Sequence, residues 1–153
     1  MTSSRIQDHQ KRLERNRSLV LKTFSNVRPG GWSKTVYEEP TPWTLRDLLA
    51  HFVSAERALR ELAENIAAGG EGAPEGFDYN AFNRREQNVY RAYSPEELLR
   101  MFSESRDSLL EWSGTLTAEQ LDRKGRHPAW GEVTLSDVLS AVHGHTLLHI
   151  RDL

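Results

Sequence analysis

The chain has 153 residues, a length typical of one domain, so we expect a single domain spanning residues 1–153. Lys and Arg number 20 against 22 Asp and Glu, and no basic block stands out, so we expect no nucleic-acid partner. The absence of cysteine excludes disulfides, thiolate metal ligands and a cysteine nucleophile. The N-terminal residues 1–17 are polar, and no stretch approaches the roughly 20 apolar residues that span a bilayer, so we expect a cytoplasmic protein without a membrane partner.

Four segments have the apolar periodicity of amphipathic helices. The first covers residues 4–26 and is followed by an Arg-Pro-Gly-Gly stop signal. The second begins at Thr44 and ends before a pair of glycines. The third opens at Ser94 with a capping-box pattern, and the fourth runs from Thr134 to the chain end. Their apolar stripes contain Ile6, Leu13 and Val20; Leu48, Phe52, Leu59 and Ile66; Leu98, Phe102, Leu109 and Trp112; and Leu135, Val138 and Val142.

The connection between the second and third helices is long and covers residues 69–93. We expect a helical turn over residues 80–88, whereas strand signals are weak and only residues 34–37 indicate extended structure. A connection of this length in a compact domain usually forms a crossover or part of a site. The pattern therefore predicts an all-α fold, a four-helix bundle with a long crossover connection between helices 2 and 3.

The second and fourth helices begin with the same pattern, Thr-Leu-x-Asp, at residues 44–47 and 134–137. In both, the threonine can cap the helix by accepting a bond from the amide three residues on, and the aspartate faces the positive end of the helix. Two well-capped helices explain the repeat by themselves. The functional alternative is that both helices need fixed starts because both carry metal ligands.

Three of the six histidines form a candidate metal site. His145 and His149 are four residues apart and stack on one helix face. Continuing the apolar stripe of the fourth helix beyond Val142 leads to both, so we expect both rings to point into the bundle. Two unsatisfied imidazoles there would be costly, and a shared metal ion removes that cost. His51 flanks the stripe of the second helix and can join them if the two helices are neighbours.

Three histidine ligands without a fourth protein ligand leave a position for water or substrate, as in catalytic zinc sites. Zinc and nickel both suit imidazole, so we expect one divalent ion, Zn or Ni. The alternative is that His145 and His149 are ordinary histidines with hydrogen-bond partners. His143 is predicted to point to the opposite side as a surface or packing residue. His9 and His127 lie in polar sequence, and we expect no role for them.

The order of these motifs resembles a known family. Residues 43–51 read WTLRDLLAH and residues 134–150 read TLSDVLSAVHGHTLLHI. Together with SPEELL at 94–99 and LTAEQL at 116–121, they resemble the helices and the turn of the DinB-like (DNA-damage-inducible) superfamily over nearly the whole chain. The resemblance implies a four-helix bundle that binds a metal through His51, His145 and His149.

The resemblance also implies several activities. The superfamily includes metal-dependent transferases that use low-molecular-weight thiols such as bacillithiol, mycothiol or glutathione, and a mycothiol-dependent maleylpyruvate isomerase. Other members resemble colibactin self-resistance hydrolases. A homodimer is common in the family, so we expect one here, with a small molecule or a thiol as the binding partner. The usual tail after the last histidine is short in this sequence.

Few other residues are candidates to assist the site. Glu56 is a candidate general base or a support for the ligands, and the alternative is an exposed charged face. Arg17, near the stripe of the first helix, can clamp a substrate carboxylate or phosphate, or extend to the rim of the bundle. Asn83, on the crossover, is a candidate substrate-binding residue, together with Tyr79, Asn80 and Arg84. The four tryptophans are expected to pack in the core or at an interface.

Three classes of function remain open from the sequence. A metal-dependent enzyme would activate a thiol or water, and because the chain lacks cysteine the thiol must come from outside. A non-catalytic metal-binding bundle, acting as a dimeric binding or stress-response module, is the alternative. A helical scaffold without metal is the third.

Overall fold

A computed structural model describes residues 3–153. The described residues form six α-helices, which are α1 (Ser4–Ser25), α2 (Leu45–Ala67), α3 (Tyr79–Tyr90), α4 (Pro95–Ser113), α5 (Ala118–Leu121) and α6 (Leu135–Arg151). The four long ones, α1, α2, α4 and α6, pack as a bundle in which α2 and α1 each contact both α4 and α6. The predicted four-helix bundle is therefore confirmed.

The crossover between α2 and α4 contains α3, which extends the helical turn predicted over residues 80–88. The Asp78 side chain caps this helix by accepting a hydrogen bond of 3.0 Å from the amide of Ala81. The Gln87 amide donates to the Asp47 carbonyl oxygen at 2.9 Å, and Glu86 pairs with Arg57 of α2. These bonds hold α3 against α2.

Two short antiparallel hairpins precede the helices that carry the three candidate histidines. Strand β1 (Thr35–Tyr37) pairs with β2 (Trp43–Thr44), and β3 (Lys124–His127) pairs with β4 (Gly131–Thr134). The first hairpin includes the predicted extended segment. The second was not predicted, because the Lys-Gly-Arg sequence that opens β3 has little intrinsic preference for strands.

The repeated Thr-Leu-x-Asp pattern forms two capping boxes. In α2, the amide of Asp47 donates to the Thr44 hydroxyl at 3.1 Å, and the amide of Thr44 donates to the Asp47 carboxylate at 2.9 Å. Thr134 and Asp137 exchange the same bonds at the start of α6, at 3.1 and 2.9 Å. Each box also ends a strand, so the first turns of both helices are fixed to a hairpin.

The core consists of two clusters of buried side chains. One contains Ile6, Leu13, Ile66, Leu109, Leu135 and Val138, and the other contains Val20, Phe24, Phe52, Leu98 and Phe102. Trp32, Trp43 and Trp112 pack against these clusters, as expected. Trp130 is not a core residue, because it lies in the turn between β3 and β4 and is 63% exposed, and packing at an interface stays a prediction for it.

A polar network crosses the centre of the bundle. The Arg106 side chain is 0% exposed and donates to both carboxylate oxygens of Glu56, at 2.5 and 3.0 Å. It also donates to the Leu13 carbonyl oxygen at 2.7 Å and to the Asn16 side-chain oxygen at 3.1 Å. The Thr146 hydroxyl donates to the same Asn16 oxygen at 2.6 Å. The network therefore ties α1, α2, α4 and α6 together.

Candidate metal centre

His51, His145 and His149 converge between α2 and α6. Nε2 of His51 lies 2.9 Å from Nε2 of His145, which in turn lies 3.1 Å from Nε2 of His149. One potential ligand atom from each residue lies within 4.8 Å of the other two. The packing of α2 against α6 supplies the first histidine, and the four-residue spacing along α6 supplies the other two. The three histidines singled out from the sequence are thus brought together.

A tyrosine and an aspartate fix the orientation of His149. The Tyr37 hydroxyl donates to the Asp152 carboxylate at 2.6 Å and lies 2.9 Å from Nδ1 of His149. Since the hydroxyl proton is already engaged by Asp152, the tyrosine oxygen accepts at His149, and Nδ1 carries the imidazole proton. Nε2 of His149 is then left with a lone pair that faces the other two histidines. Burial, followed by the bond to Asp152, raises the pKa of Tyr37 to about 12, so the hydroxyl keeps its proton.

The three imidazoles are neutral at physiological pH. Burial lowers the pKa of His51 well below 6.5, and the proximity of His145 and His149 lowers it further. Burial and the nearby His149 lower the pKa of His145 to about 4. Burial also lowers the pKa of His149, although Asp152 opposes the shift. Neutral imidazole is the form that binds metal ions.

The three imidazoles cannot satisfy one another by hydrogen bonding. A neutral imidazole has one N–H and one lone pair, so Nε2 of His145 makes a single hydrogen bond although it has two close nitrogen neighbours. At least one of the two contacts is therefore not a hydrogen bond. A cation between the three nitrogens removes this conflict, and imidazole is a favoured ligand of zinc and nickel. The residues present fit a divalent metal ion.

Aromatic side chains surround the cluster. The ring of Trp43 lies 4.9 Å from that of His51, between centroids, and Phe52 lies about 6 Å from both His145 and His149. Nδ1 of His51 is buried without a hydrogen-bond partner among the described residues. The imidazoles are therefore held in position largely by packing, with His149 additionally held by hydrogen bonds.

Two clefts meet at the histidines. The first, which we call the apolar cleft, has a volume of about 910 Å³ and is lined by His51, Leu59, Phe82, Trp130, His145 and Leu148, among others. The second, the polar cleft, has a volume of about 730 Å³ and is lined by Tyr37, Asn80, Arg84, Gln87, Arg91 and His149, among others. Asn83 lines both clefts. The cluster is therefore accessible from two sides of different chemical character.

Glu56 does not lie on an exposed charged face, and that interpretation is wrong. Its side chain is 2% exposed, and both carboxylate oxygens accept hydrogen bonds from Arg106. A carboxylate that accepts hydrogen bonds at both oxygens from a buried guanidinium is held in place. A role for Glu56 as general base stays a prediction. The hydrogen bonds from Arg106 indicate a structural role for the Glu56 side chain.

Arg17 and Asn83, the two predicted substrate-binding residues, lie in different environments. Arg17 forms ion pairs with Glu14 and Asp107 at the rim between α1 and α4, which agrees with the alternative that it extends outward. It lines neither cleft. Asn83 of α3 lines both clefts, whereas Tyr79 lines only the apolar cleft, and Asn80 and Arg84 line only the polar one.

The remaining histidines lie outside the cluster. His9 is buried, and its Nε2 lies 2.9 Å from the Ser136 hydroxyl. The ring of His143 packs 6.0 Å from that of His9, in agreement with a packing role. The ring of His127 stacks on Trp130 at 4.1 Å and lines the apolar cleft, a position that the sequence analysis did not predict.

Fold and cluster together define a class of protein, a four-helix bundle with three histidines between its second and last long helices. Residues 12–153 match the family model of the DinB superfamily, and the chain belongs to that superfamily. No curated protein matches the chain in sequence. Within the described residues, no helix is both long and apolar enough to cross a membrane.

Several solved structures share the fold. YfiT from Bacillus subtilis, described as a probable metal-dependent hydrolase with an unusual four-helix bundle topology, has a TM-score of 0.79 and 16% identity, covering 99% of this chain and 85% of YfiT. A mycothiol-dependent maleylpyruvate isomerase has a TM-score of 0.79 and 19% identity, covering 97% of this chain but 60% of the isomerase. ClbS, a colibactin self-resistance protein solved with double-stranded DNA, has a TM-score of 0.62 and 18% identity, covering 95% of each chain.

Proposed function

We propose that the chain is a single DinB-like domain over residues 1–153 and a metal-dependent enzyme that transfers a low-molecular-weight thiol to a small acceptor. Its ligands are His51, His145 and His149, and its ion is Zn or Ni. The observation that carries the proposal is the convergence of three neutral Nε2 atoms, with the tautomer of His149 fixed by Tyr37. Three protein ligands leave a position open for an external molecule.

The chemistry of a bound ion accounts for the choice of reaction. When bound, it supplies Lewis acidity that lowers the pKa of a thiol or of water, so that either is a nucleophile near neutral pH. The chain has no cysteine, so the thiol is a co-substrate. In the transfer, sulfur provides the electron pair of the new carbon–sulfur bond, the leaving group departs with the electron pair of the old bond, and the thiol proton passes to solvent. No oxidant or reductant is required.

The polar cleft supports a polar thiol as co-substrate. Arg84 and Arg91 line it and form no ion pair within residues 3–153. Guanidinium groups suit the carboxylates of a thiol such as glutathione or bacillithiol. His149 lines the same cleft, and Tyr37 orients it. The residues of the cleft thus bind the polar part of the thiol and direct its sulfur to the histidines.

Activation of water for hydrolysis is the second candidate, because the same cluster would serve it. It is supported by the fold shared with YfiT, described as a probable metal-dependent hydrolase. A non-catalytic, dimeric metal-binding module is the third. The three candidates differ in whether a thiol, a water molecule or nothing reacts at the open coordination position of the metal.

The test uses zinc-loaded and nickel-loaded protein with glutathione, bacillithiol or mycothiol and monochlorobimane, whose chloride is displaced by thiols. We expect enzyme-dependent conjugation with at least one thiol, lost in His145→Ala and retained in His9→Gln, a substitution outside both clefts. Hydrolysis of p-nitrophenyl acetate without thiol, in place of conjugation, would favour the hydrolase. If the metal-loaded protein is inactive in both assays, the catalytic proposal is wrong and the binding module is the better account.

A further inference from the structure

We infer that the apolar cleft binds a neutral, largely apolar small molecule, and this inference rests on the proposed function in assigning that molecule the role of acceptor. The cleft volume of about 910 Å³ lies within the range of small-molecule sites, roughly 300–1,000 Å³. His51 and His145 form part of its lining. A molecule bound in it therefore lies beside the histidine cluster, on the side away from the arginines of the polar cleft.

The walls of the cleft are apolar and include exposed side chains. Leu59 of α2, Phe82 of α3 and Leu148 of α6 are among the side chains that line it. Leu148 and Trp130 are each 63% exposed, although both are large and apolar. Exposed apolar side chains grouped around a concave site indicate a surface that binds an apolar partner. Because His51 and His145 line the same cleft, these side chains favour a substrate over a structural contact.

Charge distinguishes the occupant of this cleft from that of the polar cleft. None of the described residues that line the apolar cleft is lysine or arginine, whereas the exposed carboxylates Glu61 and Asp137 do line it. Burial lowers the pKa of His127, so its ring adds no positive charge at neutral pH. An anion would meet these acidic groups without a lysine or arginine side chain to compensate them. The cleft therefore favours a neutral molecule.

Gly144 keeps the cleft open beside the histidines. It lies on α6 next to His145 and lines the cleft, and a Cβ atom built on it would have no atom within 4 Å. A larger side chain at this position would enter the cleft without displacing backbone or core. Alanine would add one methyl group and would also suit the helix better than glycine. Side chains of increasing size at position 144 would therefore fill the cleft to increasing extents.

The test is a titration of zinc-loaded protein with N-phenyl-1-naphthylamine, a neutral probe that fluoresces in apolar sites. Its matched counterpart is 1-anilinonaphthalene-8-sulfonate, which has the same aromatic rings and a negative charge. We expect the neutral probe to bind at one site, at least tenfold more tightly than the anion. Gly144→Phe should weaken binding of the neutral probe at least tenfold, and Gly144→Ala should change it less than threefold.

The control is Gly30→Phe, which adds the same side chain at an exposed glycine that also has no atom within 4 Å of a built Cβ and lines neither cleft. Circular dichroism and metal content establish that each variant is folded and loaded. No binding of the neutral probe, equal binding of the anion, or no effect of Gly144→Phe would overturn the inference. Since the titration needs neither thiol nor turnover, probe binding without thiol transfer counts against the proposed function alone.

Discussion

The Tyr37 hydroxyl accepts a hydrogen bond from Nδ1 of His149 across 2.9 Å and so directs the Nε2 lone pair of that histidine towards the cluster. A hydrogen bond that orients a metal-binding histidine in this way typically raises its metal affinity about 10- to 100-fold. Tyr37→Phe keeps the aromatic ring and removes only this contact and the bond to Asp152. We therefore expect zinc affinity, measured by competition with a chelator, to fall by about that factor.

Tyr93→Phe is the matched control, because Tyr93 packs on Tyr90 away from the histidines and its hydroxyl has no hydrogen bond among the described residues. Its zinc affinity should equal that of the wild type. An unchanged affinity in Tyr37→Phe would show that packing alone orients His149.

The ion pair between Glu56 and Arg106 predicts a large, non-additive effect on stability. Breaking a buried pair by removing one partner costs about 3–5 kcal/mol, because the other charge stays buried without compensation. Glu56→Gln and Arg106→Met should each lower the free energy of unfolding by about that amount, and the double variant by much less than the sum. Urea denaturation of all four proteins measures the coupling.

The same variants separate the structural role of Glu56 from a catalytic one. In the structural account, the residual activity of folded Glu56→Gln keeps the pH profile of the wild type. A selective loss of the basic limb of that profile, with stability unchanged, would instead support the general base suggested by the sequence.

Histidine burial predicts that acid destabilises the metal-free protein. Burial, followed by the charges of Arg12 and Arg5, lowers the pKa of His9 below its ordinary value of 6.5. As the pH falls through 6.5, the unfolded chain therefore takes up a proton that the folded chain does not bind until a lower pH. Stability falls in this window, by up to about 1.4 kcal/mol per pH unit for one proton.

His9→Gln should reduce the slope of unfolding free energy against pH between 7 and 5, measured by urea denaturation in chelator. The remaining slope belongs to the other buried histidines. An identical slope in the variant and the wild type would mean that His9 is protonated equally in the folded and unfolded chains.

The sequence predicts the histidine cluster well because helical periodicity is a local property. Stepping along α6 from Val142 by three and four places His145 and His149 on the buried face, and both converge with His51 in the structure. The partners of His149 could not be found in this way. Tyr37 lies 112 residues from His149 and 115 residues from Asp152 in the chain, and only the tertiary fold brings it to them.

The position of Glu56 was predictable in principle. It follows Phe52 by four residues and precedes Leu59 by three, and Arg106 stands in the same relation to Phe102 and Leu109. Both charges therefore lie on buried stripes, and two such positions on facing helices indicate a buried pair. The charge of Glu56 alone suggested exposure. The hairpin β3–β4 was harder to predict, because its pairing outweighs the weak strand preference of its residues.

The central claim is that His51, His145 and His149 bind one metal ion, and metal content tests it most directly. Untagged protein is incubated with zinc or nickel, passed through a desalting column and measured by elemental analysis beside His149→Ala and His9→Gln. We expect about one equivalent of metal in the wild type and in His9→Gln, and a loss of metal in His149→Ala. Wild-type protein that retains neither ion, or a His149→Ala variant that retains a full equivalent, would contradict the claim.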